Sequence, residues 1–462
     1  MNIKTDSRKV VKGDTFVAMR GVLSDGHSYI KQAIKNGASM IVAETGDYDV
    51  PTIIVKDTRD YLTNYLKDKY EDTLKDITFI GITGTNGKTT SGYLTYKMLN
   101  LLGKKTAYIG TIGFYIEDEV EPLSNTTPDV LDLYEMFLKC KDRGIEVIVM
   151  EVSSHALSYG RVDGIMYDYA VFTNLTQDHL DYHKTMNEYM GAKQKLFMKI
   201  KKDGYAIING DDSYYKNFIT DNNNIIYGFS EEADYKVLDY ELKIDETTFD
   251  FKVNENTYHS KINLVGKYNI YNYLVCLIIA NKIGYKIEDI LTCNKSLPEP
   301  PGRMEGISYN NAMIFVDYAH TPDAISNVLN SVNSYKEGRV ITIVGCGGDR
   351  DKTKRPIMGD VSTKLSDYVI FTNDNPRTED AKAIMDDIVN NLNVNNYEII
   401  YDRKKAIEKG IDILEEKDIL LILGKGHENY QIIGKEKHHH DDNEYAKRYI
   451  EGKQEVEKCV DS

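Results

Sequence analysis

The stretch from Ile77 to Leu102 constrains this chain most. Its first six residues are apolar or β-branched, which is typical of a buried parallel strand. A glycine-rich turn follows, and a helical pattern begins near Tyr93. A strand, a glycine-rich turn and a helix start make a phosphate cradle. Backbone N–H groups face the anion, a lysine reaches the terminal phosphates and a hydroxyl holds Mg²⁺. The sequence therefore predicts a nucleoside triphosphate site at Gly84, Thr85, Asn86, Gly87, Lys88, Thr89 and Thr90.

The predicted loop departs from the general phosphate-binding pattern at one position. In G-x-x-x-x-G-K-[ST], Ile82 stands where the first glycine belongs. The loop fits a shorter form, Gly-Thr-Asn-Gly-Lys-Thr. A chance glycine-rich turn is the alternative reading, and the strand and helix on either side argue against it.

Length and composition limit the class of protein. A chain of 462 residues suggests about three domains. The net charge of −15, without a long basic tract, argues against nucleic-acid binding. No apolar run is long enough to cross a membrane, and the polar residues 1–15 do not resemble a signal peptide. The five cysteines are scattered, as expected for reduced thiols. We therefore expect a cytoplasmic protein without membrane insertion.

The pattern of strands and helices predicts an α/β protein with three domains. A small N-terminal α/β domain covers residues 1–76. Alternating strands and helices over residues 77–300 predict a central, mostly parallel sheet of the P-loop type, flanked by helices, with a small antiparallel piece at Glu246–Leu264. The proline-rich linker at Leu297–Gly302 opens a Rossmann-like α/β domain over residues 301–462.

Polar residues follow two further predicted strands. Glu151 ends the apolar run Val147–Met150, and such strand ends carry metal and nucleotide ligands in parallel sheets. Asp178, His179, Asp181 and His183 follow another apolar strand, and His179 is the best metal ligand among them. Spacing alone marks Lys193 only as a lysine on a helix surface. The run from His438 to His440 reads as an exposed turn.

Several motifs together resemble the Mur ligase family, in order from about residue 5 to residue 450. They are Gly84–Thr90, Glu151-Val-Ser-Ser-His155, Asn174 with Asp178-His179-Leu-Asp181-Tyr-His183, Lys193, Pro301-Gly302-Arg303-Met304-Glu305, Asp317-Tyr-Ala-His320-Thr-Pro-Asp323 and Gly345-Cys-Gly-Gly-Asp-Arg350. The resemblance implies an ATP-dependent amide ligase in cytoplasmic peptidoglycan precursor synthesis, and we expect it to be a monomer. ATP would turn a carboxylate into an acyl phosphate, which an amine then attacks.

The resemblance also assigns the catalytic residues. Lys88 and the loop amides would bind the phosphates. Thr89 and Glu151 would share one Mg²⁺, and His179 would bind a second Mg²⁺ together with a carbamylated Lys193. Arg303 would reach the phosphates, and Asn272 and Asp317 would bind adenosine.

A UDP-N-acetylmuramoyl dipeptide is the substrate that the resemblance implies. Ser7 lies in the Asp6-Ser7-Arg8 turn that matches the uridine contacts. The contacts to the sugar and peptide would come from Asn125, Thr126, Thr127, Ser153 and Arg161. The chain departs from the family in its short N-terminus and in Tyr159, where relatives often have a polar amide.

The third domain would select the amino acid. The motif Asp374-Asn375-Pro376-Arg377 looks like the signature of the branch that adds meso-2,6-diaminopimelate. An arginine fork grips the second carboxylate of this diamino acid and repels a lysine ammonium. Arg350 would suit a carboxylate, and Gly424 and Glu428 match the remaining contacts, with Glu428 facing the distal ammonium. A surface arginine and a tight turn are the alternative readings of Arg377 and Gly424.

Three alternative functions remain open at this stage. The same ligase could use L-lysine or another diamino acid. A relative acting on folate or another polyglutamate-type substrate is disfavoured by the Asp6-Ser7-Arg8 turn. An inactive nucleotide-binding or scaffolding protein of this type is disfavoured by Lys88, Glu151, His179 and Lys193.

Overall fold

The structure is a computed structural model that describes residues 2–21, 24–221, 223–244 and 246–460. Two compact units make up this part of the chain. The first contains the described residues up to Thr83, with Lys104–Ala170 and Ala192–Tyr205. The second contains Gly84–Gly103, Val171–Gly191 and the described residues from Ala206 onward.

The N-terminal residues of the first unit form a small parallel sheet. Its elements are β1 (Ile3–Lys4), β2 (Thr15–Val17), α1 (Ile30–Lys35), β3 (Met40–Ala43), β4 (Thr52–Ile54) and α2 (Thr58–Leu74). The strands lie in the order β1-β2-β3-β4, and all pairs are parallel. Helix α2 begins where the Asp57 side chain accepts the backbone N–H groups of Arg59 and Asp60, which is a typical N-cap.

Residues 77–300 contribute eleven strands and seven helices. They are β5 (Thr78–Thr83), α3 (Lys88–Leu101), β6 (Thr106–Gly110), β7 (Gly113–Ile116), β8 (Glu119–Glu121), α4 (Val130–Asp142), β9 (Val147–Glu151), α5 (Ser154–Ser158), β10 (Tyr167–Phe172), α6 (Leu180–His183), α7 (Met186–Phe197), β11 (Ile200–Asn209), β12 (Asn223–Gly228), β13 (Tyr235–Leu242), β14 (Thr247–Val253), β15 (Asn256–Ile262), α8 (Lys267–Ile283) and α9 (Ile287–Thr292).

These strands form sheet segments in both units. The first unit has the order β10-β5-β9-β6-β7-β8, in which β9 pairs in parallel with both β5 and β6. The second unit has the order β15-β14-β13-β12-β11, and β13, β14 and β15 pair antiparallel. The parallel arrangement brings the carboxyl ends of β5 and β9 to one edge, where Thr83 and Glu151 end their strands.

The C-terminal part of the second unit is a second α/β layer. Its elements are β16 (Glu305–Tyr309), β17 (Ala312–Asp317), α10 (Pro322–Asn333), β18 (Val340–Val344), α11 (Lys354–Leu365), β19 (Tyr368–Phe371), α12 (Ala381–Val389), β20 (Tyr397–Ile399), α13 (Arg403–Asp412), β21 (Ile419–Leu423), β22 (Tyr430–Ile433), β23 (Glu436–His439) and α14 (Asp442–Val460). The six-stranded sheet has the order β16-β17-β21-β18-β19-β20, and every pair except β16–β17 is parallel.

This sheet is buried on both faces, as strand β21 shows. Ile419, Leu421 and Leu423 join the hydrophobic cluster on one face, whereas Leu420 and Ile422 join the cluster on the other. Two-sided burial explains why the strand is apolar at every position instead of alternating.

The structure confirms the predicted α/β class and the antiparallel piece, which is the hairpin of β14 and β15. The turn predicted for His438–His440 is wrong. His438 and His439 lie in strand β23, which pairs with β22, and His440 is buried. In the described ranges, no helix combines the length and the apolar character needed to cross a membrane. The domain boundaries at residues 76 and 300 stay predictions.

Candidate active site

The phosphate loop, residues 84–90, joins β5 to α3 through two glycines at which any side chain would force neighbouring groups to move. A Cβ atom on Gly84 would lie 1.8 Å from Thr173 Oγ1, and one on Gly87 would lie 2.6 Å from Asn272 Oδ1. Gly87 also has a φ of +83° and directly precedes Lys88, the first residue of α3. The loop therefore approaches neighbouring side chains as closely as a backbone can.

Hydrogen bonds from Thr173, Asn174 and Lys88 hold the phosphate loop. The Asn174 side chain accepts the backbone N–H of Asn86 at 2.8 Å and donates to its carbonyl at 3.2 Å. Thr173 Oγ1 donates to the same carbonyl at 2.6 Å. Lys88 Nζ donates to the carbonyls of Gly84 and Thr85 at 2.9 and 2.7 Å. The N-terminus of α3 and the Lys88 ammonium thus lie together, as an anion site requires.

Arg303 reaches the same loop from the C-terminal part of the second unit. Its Nη2 lies 3.2 Å from Thr89 Oγ1, and its guanidinium carbon lies 4.6 Å from the centre of the Tyr318 ring. Its Nε is buried without a hydrogen-bond acceptor among the described residues. The Asn86 side chain donates to Asp323 Oδ2 at 2.8 Å. The predicted phosphate contacts of Arg303 are therefore compatible with its position.

The two predicted adenosine residues are buried and hydrogen-bonded. Asn272 Oδ1 accepts from Ser91 Oγ at 3.1 Å, and Nδ2 donates to Asn269 at 3.0 Å. The two carboxylate oxygens of Asp317 accept the backbone N–H groups of Ala319 and Met304 at 2.7 and 2.9 Å. Burial raises the pKa of Asp317, and the Arg303 charge opposes this rise. Both residues shape the site through these bonds, and their adenosine contacts stay predictions.

His179 begins the short helix α6 with a left-handed φ of +54°. Its Nε2 lies 3.4 Å from Asp178 Oδ2. Burial tends to raise the pKa of Asp178, but the neighbouring His179 and Lys354 hold that pKa below its usual range. Burial and then the Lys354 charge lower the pKa of His320 to about 4, so this ring is neutral at pH 7. The predicted second-metal region thus contains an ionised carboxylate. The Asp181 side chain lies outside the described residues.

Glu151 is fully buried at the end of β9 in the first unit. Its Oε1 accepts the Tyr108 hydroxyl and, at 2.8 Å, the Thr111 N–H, and its Oε2 accepts Thr111 Oγ1 at 3.1 Å. Lys193 is also in the first unit and is only 1% exposed. The Glu151 side chain is therefore hydrogen-bonded at both of its oxygens despite its burial.

The predicted metal ligands include two oxygen donors of the kind that Mg²⁺ prefers, the Thr89 hydroxyl and the Glu151 carboxylate. Thr89 and His179 belong to the second unit, and Glu151 and Lys193 belong to the first. Over the described part of the chain, no three histidine, cysteine or carboxylate side chains form a ready metal cluster. The two Mg²⁺ sites stay predictions.

Four of the predicted substrate residues come together near Glu151. Thr127 Oγ1 donates to the Glu151 carbonyl at 2.8 Å and accepts the Ser153 N–H at 3.0 Å. Arg161 Nη1 donates to the Thr127 carbonyl at 2.9 Å. Thr126 Oγ1 lies 3.1 Å from Thr111 Oγ1.

The other two predicted substrate residues differ in their surroundings. Asn125 is exposed. Ser7 is buried in the N-terminal sheet region, where its carbonyl accepts the Asn36 side chain at 2.8 Å.

The predicted amino-acid residues lie on loops at the carboxyl edge of the C-terminal sheet. Glu428 Oε2 accepts Lys425 Nζ at 3.0 Å and Asn375 Nδ2 at 2.9 Å. Arg377 Nη1 donates to the Gly348 carbonyl at 2.8 Å. We call residues 424–428 the acceptor loop. Gly424 has a φ of +111°, and a Cβ there would lie 3.0 Å from Asp374 Oδ2.

Two further predicted residues, Pro376 and Arg350, complete this edge. Pro376 directly precedes Arg377, and its carbonyl oxygen would lie 1.9 Å from a Cβ on Gly348. Arg350 is exposed, and its Nη1 donates to the Asp349 carbonyl at 3.0 Å. The structure thus gathers side chains of both charge signs where a zwitterion could bind.

Several residues of the site were not predicted from the sequence. Thr173, Asn174 and Asp323 hold Asn86, and Lys425 is fully buried, but none of the four had a predicted role. Asn174 and Asp323 follow apolar strands within the motifs named above, and this position could have indicated that they belong to the site. The buried Lys425 lay in a glycine-flanked turn that gave no sign of burial.

Comparisons with known proteins agree along the whole chain. The Mur ligase middle domain matches residues 82–280, the Mur ligase glutamate ligase domain matches 302–426, and the Mur ligase family catalytic domain matches 1–70. A UDP-N-acetylmuramoyl-L-alanyl-D-glutamate–2,6-diaminopimelate ligase of Bacillus cereus is 45% identical, over 98% of this chain and 94% of that protein.

Two solved structures have the same fold. A structure of a UDP-N-acetylmuramoyl-L-alanyl-D-glutamate–2,6-diaminopimelate ligase has a TM-score of 0.71 and 31% identity, covering 98% of this chain and 95% of that one. The MurF ligase of Thermotoga maritima in complex with ADP has a TM-score of 0.69 and 20% identity, with 92% and 94% covered. The phosphate loop, the C-terminal sheet and the full-length similarity lead to one conclusion, that the chain belongs to the Mur ligase family.

Proposed function

We propose that this protein is an ATP-dependent ligase that adds meso-2,6-diaminopimelate to UDP-N-acetylmuramoyl-L-alanyl-D-glutamate in peptidoglycan precursor synthesis. The full-length similarity to the Bacillus cereus enzyme, which carries this substrate and this amino acid in its name, is the observation that carries the proposal. The charges at the carboxyl edge of the C-terminal sheet support the choice of amino acid.

The reaction would proceed in two balanced steps. The substrate carboxylate attacks the γ-phosphorus of ATP, which gives an acyl phosphate and ADP. The amine of the diamino acid then attacks the acyl carbon, and inorganic phosphate leaves with the formation of the amide and release of a proton. Lys88, the amides of the phosphate loop and Arg303 would stabilise the charge that builds on the phosphoryl oxygens.

Thr89, Glu151, His179 and a carbamylated Lys193 would hold two Mg²⁺ ions. Bound Mg²⁺ would neutralise phosphate charge. Burial disfavours a lysine ammonium, and the reaction of its amine with carbon dioxide gives an anionic carbamate that can serve as a ligand. Alkylation of the carbamate followed by peptide mass spectrometry tests this step, and recovery of only unmodified Lys193 from active enzyme would refute it.

Amino-acid selection would depend on opposite charges. Arg377 and Arg350 would bind a carboxylate of diaminopimelate, and Glu428 would accept an ammonium, within the frame of Asp374, Asn375, Pro376 and Gly424. Lysine lacks the distal carboxylate and would leave an arginine without its partner. Ser7, Asn125, Thr126, Thr127, Ser153 and Arg161 would contact the UDP-linked dipeptide.

A coupled assay tests the function. Phosphate release is measured with ATP, Mg²⁺ and the UDP-linked dipeptide, over a panel of meso-diaminopimelate, LL-diaminopimelate, lanthionine and L-lysine. We expect release that requires both the dipeptide and meso-diaminopimelate. A preference for L-lysine would overturn the specificity, and release from ATP alone would overturn the ligase activity. The monomeric state and the cytoplasmic location stay predictions, and light scattering tests the first.

A further inference from the structure

A buried ion pair lies behind the acceptor loop and has no part in the chemistry described above. Arg403 begins α13 and Asp442 begins α14, and their side chains are 1% and 0% exposed. Two parallel hydrogen bonds join them, from Arg403 Nε to Asp442 Oδ1 at 2.8 Å and from Nη2 to Oδ2 at 2.6 Å. This paired geometry fixes both side chains in distance and orientation.

The pair is charged in the folded protein. Burial tends to lower the pKa of Arg403, but the Asp442 carboxylate outweighs burial and raises that pKa. Burial likewise tends to raise the pKa of Asp442, and Arg403 holds it far below its usual range. Buried ion pairs of this kind contribute little net stability compared with apolar residues, so another role can account for the pair.

The pair is bonded directly to one end of the acceptor loop and, through His440, to the other. Arg403 Nη2 also donates to the carbonyl of Leu423 at 2.9 Å, and Leu423 directly precedes Gly424. His440 Nε2 donates to Asp442 Oδ1 at 2.8 Å, and the His440 backbone N–H donates to the carbonyl of Asn429 at 3.1 Å, directly after Glu428. Residues 424–428 therefore lie between two fixed carbonyl groups that depend on one cluster.

We propose that Arg403, Asp442 and His440 are positioning residues that set the acceptor loop, and so Glu428, for binding of the amino acid. This inference rests on the proposed function of that loop. Glu428 is also held by Lys425 and Asn375, but those contacts act on its side chain. The Arg403 cluster acts on the backbone path, which decides where the Glu428 carboxylate lies.

A second arginine–aspartate pair, at the other end of strand β21, provides a control, and its side chains are 42% and 3% exposed. Arg339 Nη2 donates to Asp418 Oδ2 at 2.6 Å and to the Ile413 carbonyl at 2.8 Å, and Asp418 directly precedes β21. Replacement of Arg339 and Asp418, like replacement of Arg403 and Asp442, removes one arginine–aspartate pair. It leaves the acceptor loop untouched, because Arg339 and Asp418 lie at the amino end of the strand.

The experiment replaces each pair with apolar residues. Arg403→Met/Asp442→Leu is compared with Arg339→Met/Asp418→Leu and with the parent, in steady-state assays that vary one substrate at a time. We expect KM for the diamino acid to rise about tenfold to a hundredfold in the first variant only. KM for ATP should rise less than KM for the diamino acid, since the acceptor loop reaches the phosphate site only through Gly302 and Arg303. Equal changes in both double variants would overturn the proposal.

Hydrogen exchange provides a readout that does not depend on activity. Backbone amides of residues 424–429 should exchange faster in Arg403→Met/Asp442→Leu than in the control, at matched unfolding temperature. Arg403→Lys retains the charge without the paired geometry and covers the case in which the double variant does not fold. Parent-like KM and parent-like exchange in folded Arg403→Lys would overturn the proposal. A parent enzyme that makes no amide would refute the proposed function, whereas unchanged loop exchange refutes only the positioning role.

Discussion

The phosphate loop and the acceptor loop occupy equivalent places, at the carboxyl ends of parallel strands, yet their side-chain contacts differ. The contacts to Asn86 in the phosphate loop are mostly neutral, from Thr173 and Asn174, with one carboxylate, that of Asp323. Buried charges surround the acceptor loop, where Arg403 pairs with Asp442 and Lys425 pairs with Glu428. Arg355, which is fully buried, pairs with Glu379 close by and donates to the Gly347 carbonyl at 3.2 Å.

The difference follows from the ligands. A phosphate carries one sign of charge, so aligned N–H groups and a lysine suffice, and a close backbone matters most. A diamino acid carries charges of both signs, so its site needs fixed cations and anions. Buried ion pairs keep these side chains ordered. Substitutions that add bulk should therefore damage the phosphate loop most. Substitutions that remove charge should damage the acceptor loop most.

The largest effect should come from Gly84→Ala. The new Cβ would lie 1.8 Å from Thr173 Oγ1 and 3.1 Å from the Asn174 backbone N and O, so the loop must move. We expect kcat/KM for ATP to fall about a thousandfold, as when donors at an anion site are misplaced. Added Thr173→Ala should restore part of the loss. Gly452→Ala, at a position with open space, is the control, and near-parent activity of Gly84→Ala would contradict the steric account.

Arg377→Ala should act on the amino acid instead of ATP. Loss of a guanidinium that binds a carboxylate should raise KM for meso-diaminopimelate about a hundredfold. The preference over L-lysine should shrink accordingly, because lysine has no distal carboxylate. Initial rates with both amino acids measure the ratio. Lys364→Ala, which removes an exposed cation paired with Asp360, is the control, and an unchanged ratio in Arg377→Ala would reject this selectivity.

A smaller effect is expected from Asn174→Ala. This change removes both side-chain bonds to Asn86 but introduces no clash. Buried groups left without partners cost about 1–3 kcal/mol, so KM for ATP should rise about tenfold. Asn330→Ala, which breaks an exposed bond to Ser326, serves as the comparison. If Asn174→Ala were as damaging as Gly84→Ala, neutral bonds would matter as much as backbone fit.

Acidification should produce the smallest effect. It should loosen the region around Gly347 at a higher pH than the phosphate loop. Hydrogen bonds from Arg355 lower the pKa of Glu379 from 4.5 to about 2. The anion is favoured by folding, so its stabilisation is present above pH 4.5 and is lost as pH falls from 4.5 towards 2. Amide exchange near Gly347 should quicken over this range before exchange in the phosphate loop does. Glu379→Gln should flatten the pH dependence, and an unaltered profile would exclude Glu379 as its source.

Local patterns predicted the phosphate loop well, because a strand, glycines and a helix start are short-range features. The apolar run of β21 likewise predicted a buried strand. The Arg403–Asp442 pair could not be predicted, since 39 residues separate the partners and each reads as an ordinary helix-start residue. The burial of His440 could not be predicted for the same reason. Its burial depends on α14 and Asn429, which a run of three histidines does not reveal.

One close contact limits how this enzyme could change its amino-acid specificity. A Cβ on Gly302 would lie 2.0 Å from the backbone nitrogen of His427, so the segment before Arg303 rests directly on the acceptor loop. The acceptor loop can therefore exchange side chains, but it can neither lengthen nor bend inward without displacing the arginine beside Thr89. New amino-acid preferences should be reached by substitution at positions such as Arg377, with the backbone of the acceptor loop retained.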